Sequence, residues 1–159
     1  ANTFDSAPAQ VQFDVETAAA AAGGGNGAIE VVHLTTRGLQ YLGEVGNVSA
    51  VTNTTTVTIT GTSLAADDCI VNNDIYFTSG DASGEGGTIT DYNGTSKVLT
   101  FTPAITAPSA TDGYAIGPKV VISGDGQGAN VRCTVNSTGG INATAIISGG
   151  NNYSNASIT

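Results

Sequence analysis

The chain has no tryptophan, no methionine and a single histidine, and charged residues make up only 11% of its 159 residues. Bases are especially scarce, with 4 Lys and Arg against 13 Asp and Glu, which gives a net charge of −9. Contacts to nucleic-acid phosphates and to anionic membrane surfaces both need clustered bases, so the sequence predicts neither partner. Its apolar runs also fall far short of the ~20 residues that a membrane-spanning helix needs.

The composition offers little for catalysis. The one histidine, His33, lies between Val32 and Leu34, and no GxSxG nucleophile motif accompanies it as a triad would require. Paired carboxylates can hydrolyse glycosides, but aromatic sugar platforms are scarce, with no Trp, five Tyr and four Phe. The sequence therefore predicts a protein that is not an enzyme and has no cofactor or small-molecule substrate. It favours a packing or interface role for His33.

Acidic residues are candidate ligands for Ca²⁺, which prefers oxygen donors. Two groups lie close in sequence: Asp67, Asp68 and Asp74, and Asp81, Glu85 and Asp91. Neither has EF-hand spacing, and the GDGQG motif at 124–128 occurs once, whereas glycine–aspartate calcium repeats need stacked copies. We predict no metal site, and we expect Asp125 to form a turn through its own backbone.

What the chain does contain is typical of an all-β protein. There are 22 glycines, and Thr, Asn, Ser and Ala are abundant. Thr and Val favour pleated strands, while Gly and Asn favour turns. Hydrophobic residues make up 40% of the chain and fall in short periodic runs, which indicates a folded core. The length suits one domain, or one domain with an inserted module.

One stretch occurs twice. Residues 27–41 read GAIEVVHLTTRGLQY and residues 139–153 read GGINATAIISGGNNY, aligned without a gap at an offset of 112 residues. The identical pairs are Gly27/Gly139, Ile29/Ile141, Gly38/Gly150 and Tyr41/Tyr153. Two copies are too few for a solenoid, so the repeat predicts two equivalent β-hairpin units in one body.

The predicted fold class is all-β, with a sandwich-like body made of the two related hairpin units and an inserted small β-meander or barrel. We divide the chain into an N-terminal arm at 1–10, a first part of the body at 11–60, an inserted β module at 61–117 and a second part of the body at 118–159.

Local patterns predict several details. Residues 45–50 are loop-like, and the β-branched run at 51–60 is typical of one strand. Asn93-Gly94 predicts a hairpin with a type I′ turn, which needs positive φ at both central residues. After the inserted module, residues 120–122 are expected to form a strand paired with residues 129–135.

Seven Asn-X-Ser/Thr sequons occur, which an Asn- and Thr-rich chain also produces by chance. In a secreted protein they would be glycosylation sites. Their asparagines are Asn47, Asn53, Asn93, Asn136, Asn142, Asn152 and Asn155.

The last segment, VVISGDGQGANVRCTVNSTGGINATAIISGGNNYSNASIT, resembles a motif of virion structural proteins of tailed bacteriophages. The middle segment, IYFTSGDASGEGGTITDYNGTSKVLTFTP, closing with DGYAIG, resembles a second phage-tail pattern. Their order is similar to baseplate wedge proteins of contractile-tailed phages, particularly those of marine cyanobacteria. The first repeat copy departs from the motif, because Arg37-Gly38 stands where the motif has paired glycines.

The resemblance implies a structural subunit located in a virion, whose partners are copies of itself and other structural proteins. We expect Tyr41 and Tyr153 to anchor such contacts, since Tyr is enriched at interfaces; the alternative is that each packs its own turn. Two other classes stay open: a secreted, glycosylated filament or surface-layer subunit, and a carbohydrate-binding fibre module. Whether Cys69 and Cys133 pair is open as well.

Overall fold

The computed structural model describes residues 11–17, 27–37, 41–137 and 139–158, and the predicted arm at 1–10 lies outside this part. The described chain contains strands and no helix, so the all-β prediction is confirmed. The strands are β1 (Val11–Thr17), β2 (Ile29–Arg37), β3 (Glu44–Asn53), β4 (Thr56–Ile59), β5 (Asp74–Phe77), β6 (Gly86–Asn93), β7 (Val98–Thr102), β8 (Gly113–Gly117), β9 (Ile122–Gly124), β10 (Gln127–Val135), β11 (Ile141–Asn151) and β12 (Ala156–Ile158).

Six strands close into a barrel in the order β3-β4-β7-β6-β5-β8, and every neighbouring pair is antiparallel. Inward residues alternate with outward ones, as in β4 and β7, because successive strand side chains point to opposite faces. The barrel encloses one apolar core, in which Phe77 and Phe101 pack with ring centroids 5.8 Å apart. The strands of the predicted module, β5 to β8, are therefore part of a closed barrel.

Strand β8 is buried along its whole length because it has neighbours on both faces. Tyr114 and Ile116 belong to the barrel core. On the outer side, a Cβ at Gly117 would collide with the backbone carbonyl of Cys133 on β10. A glycine at this position lets the hairpin of β10 lie directly on the barrel wall.

The barrel includes two strands that the sequence-based division assigned to the first part of the body. Residues 45–50, predicted to be a loop, lie in β3, whose only buried residues are Glu44 and Val48. Because these two buried positions are four residues apart, β3 lacks the alternation of apolar and polar residues that identifies a strand in a sequence. The single strand predicted at 51–60 is broken by a turn, in which Asn53 Oδ1 accepts a hydrogen bond from Thr55 N–H at 2.8 Å.

The Asn93-Gly94 hairpin forms, but its turn is not type I′. The loop spans four residues, the Lys97 N–H donates to the Asn93 carbonyl at 2.8 Å, and the left-handed residue is Lys97, with φ 62°. Asn93 Oδ1 also accepts the amide of Ser96 at 2.7 Å. The Asn93 side chain therefore organises a wider turn from its first position. Gly94 is needed because a Cβ there would collide with the carbonyl of Ala65.

Strand β9 pairs with β12 and not with β10, so the predicted pairing of 120–122 with 129–135 is wrong. The turn after β9 is bonded to a distant segment. Asp125 accepts the amides of Ser154 and Asn155 at 3.0 Å each, and the Ser154 hydroxyl as well. This carboxylate connects the β9–β10 turn to the loop before β12, which is a longer-range role than the local turn predicted for it.

The two repeat copies lie in matching hairpins. Strand β1 pairs with β2, and β10 pairs with β11, both antiparallel. The partners Thr17↔Ile29 and Val135↔Ile141 open the two ladders, and each ladder then skips one residue on the repeat strand. The second irregularity also falls at matching places, before Phe13 and before Val131. The sequence repeat thus corresponds to hairpins with the same register and the same two bulges.

Candidate assembly surface

The two hairpin units join through a reciprocal pair of main-chain hydrogen bonds. We call β1, β2 and Tyr41 the N-terminal unit, and β10, β11 and Tyr153 the C-terminal unit. Tyr41 N–H donates to the Gly139 carbonyl at 2.8 Å, and Tyr153 N–H donates to the Gly27 carbonyl at 2.9 Å. Each bond joins the end of one repeat copy to the start of the other. This reciprocity is the pattern of a two-fold dimer, here formed within one chain.

The glycine that begins each copy makes this junction possible. Gly27 and Gly139 have φ of 63° and 79°, in the left-handed region that side chains disfavour. At Gly27 a Cβ would also lie 2.5 Å from the carbonyl oxygen of Tyr153. The first repeated residue is therefore required by backbone geometry and by the approach of the opposite unit.

Small residues also let the two units pack closely along β2 and β11. A Cβ at Gly149 would lie 2.6 Å from the carbonyl oxygen of Ile29. A small apolar cluster fills the space beside this contact, and it consists of Cys133, Val135 and Ile141 with Leu34, Tyr41 and Val120 packed against it.

The two repeated tyrosines differ in their surroundings. Tyr153 is 4% exposed, and its ring is covered by the β9–β10 turn, where a Cβ at Gly126 would collide with the ring and one at Gly124 would lie 3.2 Å from it. Tyr153 thus packs against a turn of the same chain that lies outside its own repeat copy. Tyr41 is only half-buried and lines a groove. The interface role of both residues stays a prediction, and the side chain of His33 lies outside the described part.

The groove beside Tyr41 lies between the barrel and the C-terminal unit and has a volume of about 630 Å³. Its lining residues are Tyr41, Leu42, Gly43, Glu44, Val45, Ser63, Leu64, Val135, Asn136, Ser137 and Gly139. Leu42 and Val45 are 49% and 63% exposed. Apolar side chains at a concave surface of this kind are typical of binding sites.

A buried carboxylate borders the groove. Glu44 is 8% exposed and accepts hydrogen bonds from the Tyr114 hydroxyl at 2.7 Å and the Ser63 hydroxyl at 2.6 Å. Burial, and then the bond to Glu44, raises the pKa of Tyr114 far above its usual value. Tyr114 is therefore a fixed hydrogen-bond donor, and it satisfies a charge that would otherwise be costly to bury.

Next to Glu44, two donors converge on one carbonyl. The Tyr92 hydroxyl and the Lys97 ammonium donate to the Leu64 carbonyl at 2.7 Å and 2.5 Å. Burial, followed by the charge of Glu44, raises the pKa of Tyr92 to about 12. These bonds hold the 61–73 segment against the end of the barrel.

One ion pair connects the barrel to the C-terminal unit. Arg132 Nη1 on β10 lies 2.6 Å from Asp74 Oδ2 on β5, with side chains 15% and 3% exposed. Thr88 donates to the other oxygen of Asp74 at 2.7 Å. Sequence reasoning assigned no role to Glu44 or Arg132, because nothing in the sequence shows that either is brought into a buried contact.

Both cysteines are free thiols in the structure. Cys69 packs at the edge of the barrel core, whereas Cys133 belongs to the cluster between the hairpin units. Burial, and then the nearby charge of Asp74, raises the pKa of Cys133 to about 12. Cys133 therefore stays protonated and unreactive at neutral pH.

The candidate calcium ligands mostly bind backbone or a base. Asp67 accepts the amide of Gly94 at 2.7 Å and Asp68 that of Tyr92 at 3.3 Å, while Asp74 pairs with Arg132. Among the described residues, no group of three or more His, Cys, Asp or Glu side chains could hold a metal ion.

Six of the seven sequon asparagines are exposed, and Asn136 is half-buried. Asn47 donates its side-chain amide to the Thr111 carbonyl at 3.0 Å, so a glycan on that nitrogen would cost this bond. Glycosylation itself stays a prediction.

Comparisons with protein-family models, with curated proteins and with solved structures find no match to this chain. In the described part of the chain, no helix has the length and apolar character needed to cross a membrane.

Proposed function

We propose that this chain is a structural subunit of a phage virion, a tail or baseplate component whose work is to bind copies of itself and other structural proteins. The observation that carries the proposal is the reciprocal junction of Tyr41 with Gly139 and Tyr153 with Gly27. It is a contact between two like β-units made by main-chain atoms. The same kind of contact can form between separate chains wherever a strand edge is open.

Strands without a second hydrogen-bonded neighbour support this proposal. Within the described residues, β1–β2, β10–β11 and β9–β12 are two-stranded sheets to which no third strand is bonded. Such edges can be extended by a strand from a neighbour. The exposed apolar side chains of Leu42 and Val45 add a surface that association would remove from water. The resemblance of 75–103 and 120–159 to phage-tail patterns supports the virion as the place where this happens.

Light scattering on the purified protein over a wide range of concentration, together with negative-stain electron microscopy, tests the assembly. We expect oligomers, rings or fibres that grow with concentration. A monomer at every concentration would contradict self-assembly. Quantitative mass spectrometry of purified phage particles tests the location, with the chain expected at a fixed ratio to the tail proteins. Its absence from particles would contradict the virion assignment.

The exposed sequons favour a second candidate, a secreted and glycosylated filament or surface-layer subunit. Intact-mass measurement on protein from its native source separates the two candidates. Glycan masses on residues such as Asn53 or Asn155, both exposed, would favour the secreted subunit, whereas an unmodified mass would favour the virion subunit.

A further inference from the structure

Tyr153 is covered by a turn, whereas Tyr41 lines a groove. This difference points to the segment that occupies the groove beside Tyr41. In the C-terminal unit, the segment just before β10 lies over the ring of Tyr153. In the N-terminal unit, the equivalent tyrosine faces a groove of about 630 Å³. The two units otherwise share their register and both bulges. The N-terminal counterpart of the covering turn is therefore the natural candidate to fill the groove.

The ladders identify this counterpart. Thr17 on β1 matches Val135 on β10, an offset of 118 residues that holds along both strands. Continued towards the N-terminus, the same offset makes residues 6–8, Ser-Ala-Pro, the counterpart of 124–126, Gly-Asp-Gly. Among the residues that the turn contacts, Tyr153, Asn155 and Ala156 correspond to residues 41, 43 and 44. All three of these counterparts line the groove.

We propose that residues 4–8 of the same chain, Phe-Asp-Ser-Ala-Pro, dock in the groove beside Tyr41. The side chains of Ser6 and Pro8 are larger than the two glycines that they replace, and the groove supplies the extra room. The apolar residues Phe4 and Pro8 match the exposed side chains of Leu42 and Val45. The proposal concerns a contact within one chain and does not depend on the virion assignment.

The tether favours the chain's own segment over that of a neighbour. Pro8 stands three residues before β1, which begins at Val11 in the same unit as Tyr41. A short link of this kind makes docking intramolecular, with an effective concentration that a free second copy matches only in concentrated solution.

A tryptophan at Leu42 tests the proposal, because the chain has no other tryptophan. We compare Leu42→Trp in the full chain, in a chain lacking residues 1–8 and in a full chain that also carries Phe4→Glu. We expect blue-shifted emission and weak acrylamide quenching in the full chain, with a red shift and several-fold stronger quenching in both altered chains. Val51→Trp, on the barrel surface, is the control and should respond to neither change.

Equal quenching of Leu42→Trp in all three chains, with unchanged circular dichroism, would overturn the proposal. Protection that appears only when light scattering shows a dimer, and that disappears on dilution, would also overturn it. That result would assign the groove to the segment of a second copy.

Discussion

The barrel and the paired hairpin units are held together by different interactions. The barrel buries large side chains around one core, including Phe77, Phe101 and Tyr114 at 1% exposure or less. The hairpin units share a small cluster, and they meet through glycines that bring backbones together. The stability of the barrel should therefore be most sensitive to substitutions that remove apolar volume. The stability of the hairpin junction should be most sensitive to substitutions that add atoms.

The largest effect is expected from emptying the barrel core. Phe101→Ala removes a ring that is 1% exposed and packs against Phe77, and we expect it to lower the free energy of unfolding by about 4 kcal/mol. Urea unfolding followed by circular dichroism measures this loss. Val51→Ala, at a side chain of β3 that is 37% exposed, is the control and should cost about 0.5 kcal/mol or less. A similar cost for both variants would contradict the account of the barrel.

The second effect concerns the connection between the two regions. Arg132→Met leaves the Asp74 carboxylate buried without its cation, and we expect a loss of about 3 kcal/mol in the free energy of unfolding. Adding Asp74→Asn should recover part of this loss, because the neutral amide is cheaper to bury. The contrary result is a double variant that is less stable than Arg132→Met by as much as Asp74→Asn alone destabilises the protein. That result would show that the ion pair does not couple the two regions.

A third experiment compares two left-handed glycines. Gly27→Ala combines unfavourable backbone geometry with a contact to the Tyr153 carbonyl, so we expect a cost of about 2 kcal/mol. Gly84, in a barrel loop, has φ 90°, and a Cβ added there would have nothing within 4 Å, so Gly84→Ala should cost about 1 kcal/mol. The difference between the two losses of stability, measured by thermal and urea unfolding, gives the cost of the added contact at the junction. Equal costs would mean that the two units do not approach as closely as described.

The smallest effect is a local response to acid in the C-terminal unit. Hydrogen bonds from Ser154 and Asn155 lower the pKa of Asp125 from 3.8 to about 2. A depressed folded-state pKa means that the stabilisation is complete above about pH 4 and is lost as the pH falls through about 2. Amide shifts of Ser154 and Asn155 in an NMR titration should move together in this window, and Asp125→Ala should abolish that step. Movement centred near pH 4 would show that these bonds do not form.

Much of this organisation could be predicted from sequence, because glycine spacing and β-branched runs act locally. The gapless match between 27–41 and 139–153 predicted two related hairpins, and their ladders agree residue by residue. Two features depended on distant contacts and were missed: the membership of β3 and β4 in the barrel, and the pairing of β9 with β12. No local pattern shows that Glu44 is buried by Tyr114, which is 70 residues away.

The equivalence of the two hairpin units can be measured at their junction. NMR couplings transmitted through hydrogen bonds should appear between the Tyr41 nitrogen and the Gly139 carbonyl carbon, and between the Tyr153 nitrogen and the Gly27 carbonyl carbon. We predict both couplings, with similar protection of the two amides from exchange. A coupling at only one of these places, or at neither, would contradict a reciprocal pair of matching units.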